Sequence, residues 1–186
     1  MGTFRINLKP VVAASMAALF LALPVSAGPA EMDALFERLK NADAVDAARI
    51  EREIELEWAK SGSPAMDLLL KRGRDALEEE DYAAAIEHLT ALTDHAPDFA
   101  EGWYQRAQAY SLSGLIGPAV EDLERALVLE PRHYDAIFGL GTIFEQVGQP
   151  ERAYDAYRLV LDIDPHHEEA QQLLKRIEGD VNGVEL

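Results

Sequence analysis

The sequence predicts an all-α protein, an α-solenoid in which three helix-turn-helix repeats stack between an N-terminal helical cap and a C-terminal capping helix. The first observation is a 34-residue period, because Pro97, Pro131 and Pro165 follow one another at that spacing. The chain has 186 residues, 48% of them apolar, and no cysteine, so it is long enough to bury a core without disulfides. Small residues keep the same phase and recur at Gly73, Ala107 and Gly141, and at Ala85, Ala119 and Ala153.

Residues 1–27 have the pattern of a secretory signal peptide. Arg5 and Lys9 precede an apolar run, Val11 to Leu23, which ends at the small-residue triplet 25–27. Thirteen helical residues span only about 20 Å, too short for a hydrocarbon core of about 30 Å. We expect cleavage after Ala27 and no membrane insertion of the mature chain, and therefore a periplasmic or secreted location.

Residues 28–62 predict an atypical N-terminal helical hairpin that caps the repeats. Apolar residues recur at helical spacing over about 31–40 and 44–60, but the in-phase positions lack small residues. We expect Trp58 to close the hydrophobic end of the first repeat.

The three repeats span 66–99, 100–133 and 134–167, within a segment running from 64 to 165. Ser63 followed by Pro64 predicts a helix start, and Asp98 with Glu101 predicts a capping box. Gly114 fits the turn between paired helices, as does its equivalent in the third repeat.

The repeat pattern resembles that of the tetratricopeptide repeat (TPR) family, which has a Trp, a Leu-Gly pair, an aromatic residue, an Ala, a second aromatic and a closing Pro. The first repeat matches less well than the other two. The matching residues are Trp103, Arg106-Ala107, Tyr110, Ala119, Leu123 and Pro131 in the second repeat, and Ile137, Leu140-Gly141, Phe144, Ala153, Tyr157 and Pro165 in the third.

Residues 166–178 predict a capping helix with a polar outer face, because Ala170, Leu173, Leu174 and Ile177 form one apolar stripe. Residues 179–186 show no periodicity and are expected to form a flexible tail.

Charge and motif content narrow the functional classes. The chain carries 17 Lys+Arg against 34 Asp+Glu, and loss of residues 1–27 leaves 15 against 34, a net charge of −19. This charge disfavours nucleic acid and anionic lipid surfaces. No motif of nucleophilic, phosphate-binding or metal-dependent catalysis occurs, and the spacings of His88, His95 and His166-His167 fit no metal site. We expect a non-enzymatic protein without cofactor or metal.

The TPR resemblance implies a concave groove lined by the first helix of each repeat. Leu70, Tyr104 and Phe138 are expected to form an apolar stripe there, either exposed for a partner or filling space between helices. The Lys, Asn and Arg with which some members hold a peptide carboxylate are absent. The candidate partner-binding residues are Leu70, Arg74, Glu101, Tyr104, Gln108, Asp135, Phe138, Thr142 and Glu145.

The function implied is that of a protein–protein interaction adaptor or scaffold in the envelope of a Gram-negative bacterium. Its partner would be an envelope protein or peptide that is neutral or basic, because the groove rim is acidic. The alternatives are a periplasmic protein that binds peptides or small ligands and, with less support, a metal-dependent enzyme.

Overall fold

The computed structural model describes residues 29–183, which form nine helices and no strand. The expected signal peptide and residues 184–186 lie outside the described residues. The helices are α1 (Pro29–Lys40), α2 (Ala44–Trp58), α3 (Pro64–Glu78), α4 (Tyr82–His95), α5 (Ala100–Leu112), α6 (Ile116–Leu129), α7 (Tyr134–Gln146), α8 (Pro150–Ile163) and α9 (Glu168–Gly183).

Three helical hairpins, α3–α4, α5–α6 and α7–α8, form the repeats and confirm the all-α solenoid. Each second helix also packs against the first helix of the next hairpin, α4 on α5 and α6 on α7. The first helices α3, α5 and α7 therefore line one side of the stack, which is the concave surface of a solenoid of this kind.

The in-phase small residues allow the two helices of a hairpin to approach closely. A Cβ at Gly73 would lie 2.5 Å from Leu89 side-chain atoms, and one at Gly141 would lie 2.5 Å from the Tyr157 ring. In the second repeat this position is Ala107, which is buried in the same cluster as Leu123. Each glycine thus faces a large residue of the partner helix, Leu89 or Tyr157. This contact explains why the small and the large residue recur with the same 34-residue period.

The turns inside the hairpins need a left-handed residue. Gly114 and Gly148 have φ of 76° and 74°, which confirms their expected place between paired helices. The first repeat has Glu80 at this position, with φ of 58°. A side chain in this conformation costs roughly 1 kcal/mol, so this turn is the strained one.

In the second repeat, a buried ion pair with Asp122 compensates for the charge of Arg106. Arg106 donates two hydrogen bonds to Asp122, at 2.7 and 2.8 Å, and one to Thr93 Oγ1 at 2.8 Å. The guanidinium also lies 4.8 Å from the centroid of the Trp103 ring. These contacts join α4, α5 and α6 where the family pattern has leucine.

The N-terminal hairpin does not extend the stack at its end. The buried residues of α1 and α2 belong to the same apolar cluster as those of α7, α8 and α9, including Phe36, Ile54, Tyr134 and Tyr157. Asp43 begins α2 as its N-cap and accepts hydrogen bonds from the N–H groups of residues 45 and 46. The hairpin therefore folds back across the first helices of the repeats, toward the third repeat.

Two expected helix boundaries were wrong. Helix α5 begins at Ala100, so Asp98 lies too early to cap it, and no side-chain hydrogen bond caps this helix. Helix α9 continues to Gly183, beyond the expected end at residue 178, because Gly179 weakens a helix only modestly and no proline follows. Its buried Ala170 and Ile177 confirm the apolar stripe.

Within residues 29–183, no helix has the length and apolarity needed to cross a membrane.

Candidate functional site

The concave surface is divided into two sections by helix α2. The section that α2 covers, the covered section, contains Arg74, Glu101 and Gln105 and faces Trp58 and Glu55 of α2 across a cavity of about 470 Å³. The section left open, the open section, lies along residues 104–112 of α5 and residues 135–143 of α7. It is a depression of about 310 Å³ with a mainly apolar lining. Tyr104 and Asp135 line both sections.

Trp58 is the residue that fixes α2 over the covered section. Its ring stacks on His133, with centroids 4.2 Å apart and planes at 15°, and packs against Tyr134 at 5.1 Å and Phe36 at 6.1 Å. Trp58 was expected to close the end of the first repeat, and this was wrong. The hairpin folds over the groove, which places Trp58 against the start of the third repeat instead.

A second set of contacts ties α1 to the same place. Arg132 donates a hydrogen bond of 2.8 Å to Asp33, and its guanidinium lies 4.3 Å from the centroid of the Phe36 ring. Since Asp33 and Phe36 belong to α1 while Arg132 precedes α7, both helices of the N-terminal hairpin hold the third repeat.

The floor of the covered section is a buried polar cluster around Glu101, which is 3% exposed. Its carboxylate accepts hydrogen bonds from Arg74 and from Gln105, the latter at 2.7 Å, and pairs with His133 Nε2 at 3.1 Å. His133 Nδ1 accepts from the N–H of Ala136 at 3.4 Å, so Nε2 is the ring nitrogen that donates to Glu101. Burial opposes ionisation of Glu101, but the partners His133 and Arg74 lower its pKa below the usual value.

The open section has the features expected of a peptide-binding surface. Its lining includes Gln108, Leu112, Phe138 and Thr142, with Leu112 59% exposed. Asp135 places a carboxylate at the boundary with the covered section. The surface can therefore take an apolar side chain beside a polar or positively charged group.

The expected site residues fall into four groups. Gln108, Phe138 and Thr142 line the open section, and Tyr104 and Asp135 stand between the two sections. Arg74 and Glu101 are paired with each other in the covered section, and Leu70 and Glu145 lie in neither.

Leu70 is not part of an exposed stripe. It is 3% exposed and belongs to the core cluster of the first repeat with Leu89 and Ala109. An apolar stripe across all three repeats is thus interrupted at the first one, because the side chain turns into the core. Tyr104 and Phe138 are half-buried, and Phe138 packs against His167 with centroids 4.7 Å apart.

Glu145 serves the junction with the capping helix. It accepts a hydrogen bond of 3.0 Å from the Tyr157 hydroxyl and forms an ion pair with Arg176 of α9. Its carboxylate is therefore directed at α8 and α9.

Asp135 is the most perturbed carboxyl of the site. Burial raises its pKa to about 7, and the nearby carboxylates Glu55, Glu101 and Asp164 add to this effect, while His133 opposes it. Its side chain also lies 4.0 Å from His167 Nε2. A cation bound beside Asp135 would be stabilised by this shortage of positive charge.

The sequence did not point to His133, which contacts both Trp58 of α2 and Glu101 on the floor of the covered section. One signal was present: His133 and His167 are one 34-residue period apart, and each accepts a hydrogen bond from a backbone N–H at the start of the helix that follows. The sequence therefore indicated a helix-capping role for His133, but it gave no indication of the stacking on Trp58.

His88 and His95 both lie on α4. His95 is exposed near the end of α4, and His88 on the same helix is half-buried. Among the described residues, no group of three or more His, Asp or Glu side chains is placed to hold a metal ion.

Comparison with known proteins identifies the repeats. The tetratricopeptide repeat family model matches residues 70–116 and 113–168. A TPR repeat-containing protein of Rhizobium etli is 35% identical over 142 residues, covering 76% of this chain and 70% of that protein.

Two further matches are to a longer protein and to a single domain of known structure. The small glutamine-rich tetratricopeptide repeat-containing protein 2 of Saccharomyces cerevisiae is 32% identical over 131 residues, which are 70% of this chain but 37% of that protein. The first TPR domain of Spaghetti (RPAP3), solved with the HSP90 peptide SRMEEVD, has a TM-score of 0.61 and 24% identity, and the match covers 64% of this chain and 95% of that domain. TPR domains mediate protein–protein interaction. The chain belongs to the tetratricopeptide repeat family.

Proposed function

We propose that this protein is a non-enzymatic adaptor of the bacterial envelope that binds a neutral or basic segment of a partner protein in the open section. The observation that carries the proposal is the open section itself, an apolar depression beside the carboxylate of Asp135 in a family of interaction domains. The leader-like residues 1–27 support an exported location.

The charge of the groove favours this class of partner over an acidic one. The peptide SRMEEVD held by the RPAP3 domain is acidic and ends in a carboxylate. Here Arg74, a cation of the concave surface, is paired with Glu101, and α2 lies over both. Asp135 and a net charge of −17 would repel an acidic terminus and attract a basic segment.

The size of the open section limits what can bind. A depression of about 310 Å³ holds one or two large side chains, so the partner contributes a short extended or helical segment. Because α2 blocks the covered section, the segment must bind along residues 104–112 of α5 and residues 135–143 of α7.

The test is affinity capture of envelope proteins with a groove variant and a matched surface variant. The groove variant carries Leu112→Arg and Thr142→Arg, which fill the open section and add two positive charges. The control carries Val128→Arg and Leu159→Arg, at positions 71% and 49% exposed on α6 and α8.

We expect one protein to be captured by the wild type and the control but lost with the groove variant. Loss with both variants, or retention with both, would move the interface elsewhere. Absence of a specific partner with the wild type would favour the alternative, a binding protein for a small ligand.

A further inference from the structure

A second cavity, of about 530 Å³, lies between α2 and the segment that joins α8 to α9. We refer to it as the acidic cavity, because six carboxylates line it: Glu51 and Glu55 of α2, Asp135 of α7, Asp164 after α8, and Glu168 and Glu169 at the start of α9. Among the described residues of its lining there is no Lys or Arg. The basic side chains of its lining are the imidazoles of His166 and His167, and burial lowers the pKa of His167 below its usual value. The positive charge of Arg52 on α2 also acts on Glu51.

The charges of these carboxylates are only partly compensated. Asp164 accepts a hydrogen bond of 3.0 Å from the backbone N–H of His166, and Asp135 lies 4.0 Å from His167 Nε2. Burial still raises the pKa of Glu51 and of Asp164 above their usual values, and at Glu51 repulsion from Asp164 and Glu55 adds to this effect. A positively charged group in this space would relieve repulsion that the folded protein otherwise retains.

Tyr134 supplies an independent sign of a missing ligand. It is 3% exposed and lines the acidic cavity, yet its hydroxyl has no hydrogen-bond partner. Burial raises the pKa of Tyr134, and the charges of Asp135, Glu55, Asp164 and Glu51 add to this effect, so the hydroxyl lies within the field of the same carboxylates. A buried hydroxyl without a partner is costly, and a ligand that donates N–H groups would satisfy both the phenol oxygen and the carboxylates.

The shape of the cavity indicates an organic cation. Its volume is far larger than a bare metal ion needs, and no metal-holding group occurs among the described residues. The methyl groups of Ala44 and Ala48 and the Tyr134 ring form apolar walls beside the carboxylates. A long aliphatic stem that ends in a positive charge matches this combination, as the side chains of Lys and Arg do.

We propose that the acidic cavity binds a lysine or arginine side chain of the partner protein. The source of the side chain rests on the proposed function: Asp135 lines both this cavity and the open section, so a segment bound in the groove reaches the cavity with one side chain. The basic residue would fix the register of the segment, while the apolar residue beside it fills the open section.

The test uses the protein purified after expression of the full chain and two fluorescein-labelled peptides of sequence Ala-Lys-Ala-Lys-Ala, one with free and one with acetylated lysines. Binding is followed by fluorescence anisotropy at about 0.15 M salt, which screens diffuse attraction. The cavity variant is Glu51→Gln with Asp164→Asn. The control, Glu121→Gln with Glu124→Gln, makes the same charge change at exposed positions of α6.

We expect the wild type to bind only the peptide with free lysines, the cavity variant to bind it about tenfold more weakly or worse, and the control to stay within about twofold. Tyr134→Phe, which changes no charge, should also weaken binding. Thermal melts will show that the variants fold, and the cavity variant should melt no lower than the wild type because repulsion has been removed.

Equal weakening in the cavity variant and the control would overturn the proposal, since the attraction would then be diffuse. Failure of the wild type to bind the free-lysine peptide at millimolar concentration would overturn it as well. In either case the adaptor proposal stands if the Leu112/Thr142 groove variant still loses its partner, so the two can fail separately.

Discussion

The indole of Trp58 stacks on the imidazole of His133 at 4.2 Å, and this contact joins the N-terminal hairpin to the junction between the second and third repeats. On its other side His133 packs against Tyr104 at 4.5 Å, and its Nε2 pairs with Glu101. One histidine thus connects α2, the concave surface and the buried polar cluster.

Replacing Trp58 with Ala should release the hairpin. Removing a half-buried indole with three aromatic neighbours should cost about 2–3 kcal/mol of unfolding free energy, somewhat below the value for a fully buried aromatic. Hydrogen exchange should then become faster in α1 and α2 than in α5 to α8. Leu56→Ala, on the same helix but at a position 65% exposed, is the control and should leave the exchange pattern unchanged. If α1 and α2 of the Trp58→Ala variant were as protected from exchange as those of the wild type, this role of Trp58 would be contradicted.

Gly141→Ala should destabilise the third repeat. The added Cβ would lie 2.5 Å from the Tyr157 ring, which is fully buried and cannot move freely. Overpacking of this kind costs about 1–3 kcal/mol in urea unfolding. Gly117→Ala is the matched control, because nothing lies within 4 Å of the new methyl group, and it should be neutral or slightly stabilising. If both variants unfold at the same urea concentration, the close approach of α7 and α8 is not required.

Glu80→Gly should stabilise the first repeat. Residue 80 has φ of 58°, whereas the other two hairpin turns have glycine at this position. Relief of the strained backbone, less the entropy that glycine adds to the unfolded chain, should gain about 0.5–1 kcal/mol. Glu80→Ala removes the same charge but keeps Cβ and should show no such gain. A gain of equal size in both variants would mean that charge repulsion, and not backbone strain, limits this turn.

Asp135 should make the protein less stable as the pH rises. Its folded-state pKa of about 7 lies above the ordinary value of 3.8. The folded state therefore holds the proton more tightly, and this contribution to stability is complete below about pH 4 and lost as the pH rises through about 7.

The measurement is the melting temperature between about pH 5 and pH 8 for the wild type, for Asp135→Asn and for Asp155→Asn, an exposed control on α8. Glu55, Glu101, Asp164, His133 and His167 all act near Asp135 and are unchanged in both variants. The wild type and the control should lose more stability across this range than Asp135→Asn. Parallel curves for all three would show that Asp135 ionises normally.

The repeats could be predicted from the sequence because their decisive contacts are local. Gly73 and Leu89 belong to one hairpin, so the close approach that they permit recurs every 34 residues and leaves a visible period. The left-handed turns at Gly114 and Gly148 are likewise set by the residues at the turn itself. Such local signals predicted the fold class, the hairpins and the stripe of α9.

The place of the N-terminal hairpin could not be predicted in this way. Trp58 and His133 are far apart in the sequence, and neither position has a pattern that indicates the other. Leu70 was misplaced for a related reason, since helical position alone does not show whether an inner side chain meets solvent or the core. The division of the groove into a covered and an open section therefore required the structure.

We conclude that the N-terminal hairpin lies over the concave surface, covers Arg74 and Glu101, and leaves the open section uncovered for a partner. The most direct measurement is the fluorescence of Trp58 in a Trp103→Phe background, where it is the single tryptophan of the chain. We predict blue-shifted emission and weak quenching by acrylamide, and a red shift with stronger quenching when His133→Ala is added. Emission typical of an exposed indole, or emission that is unaffected by His133→Ala, would contradict the claim.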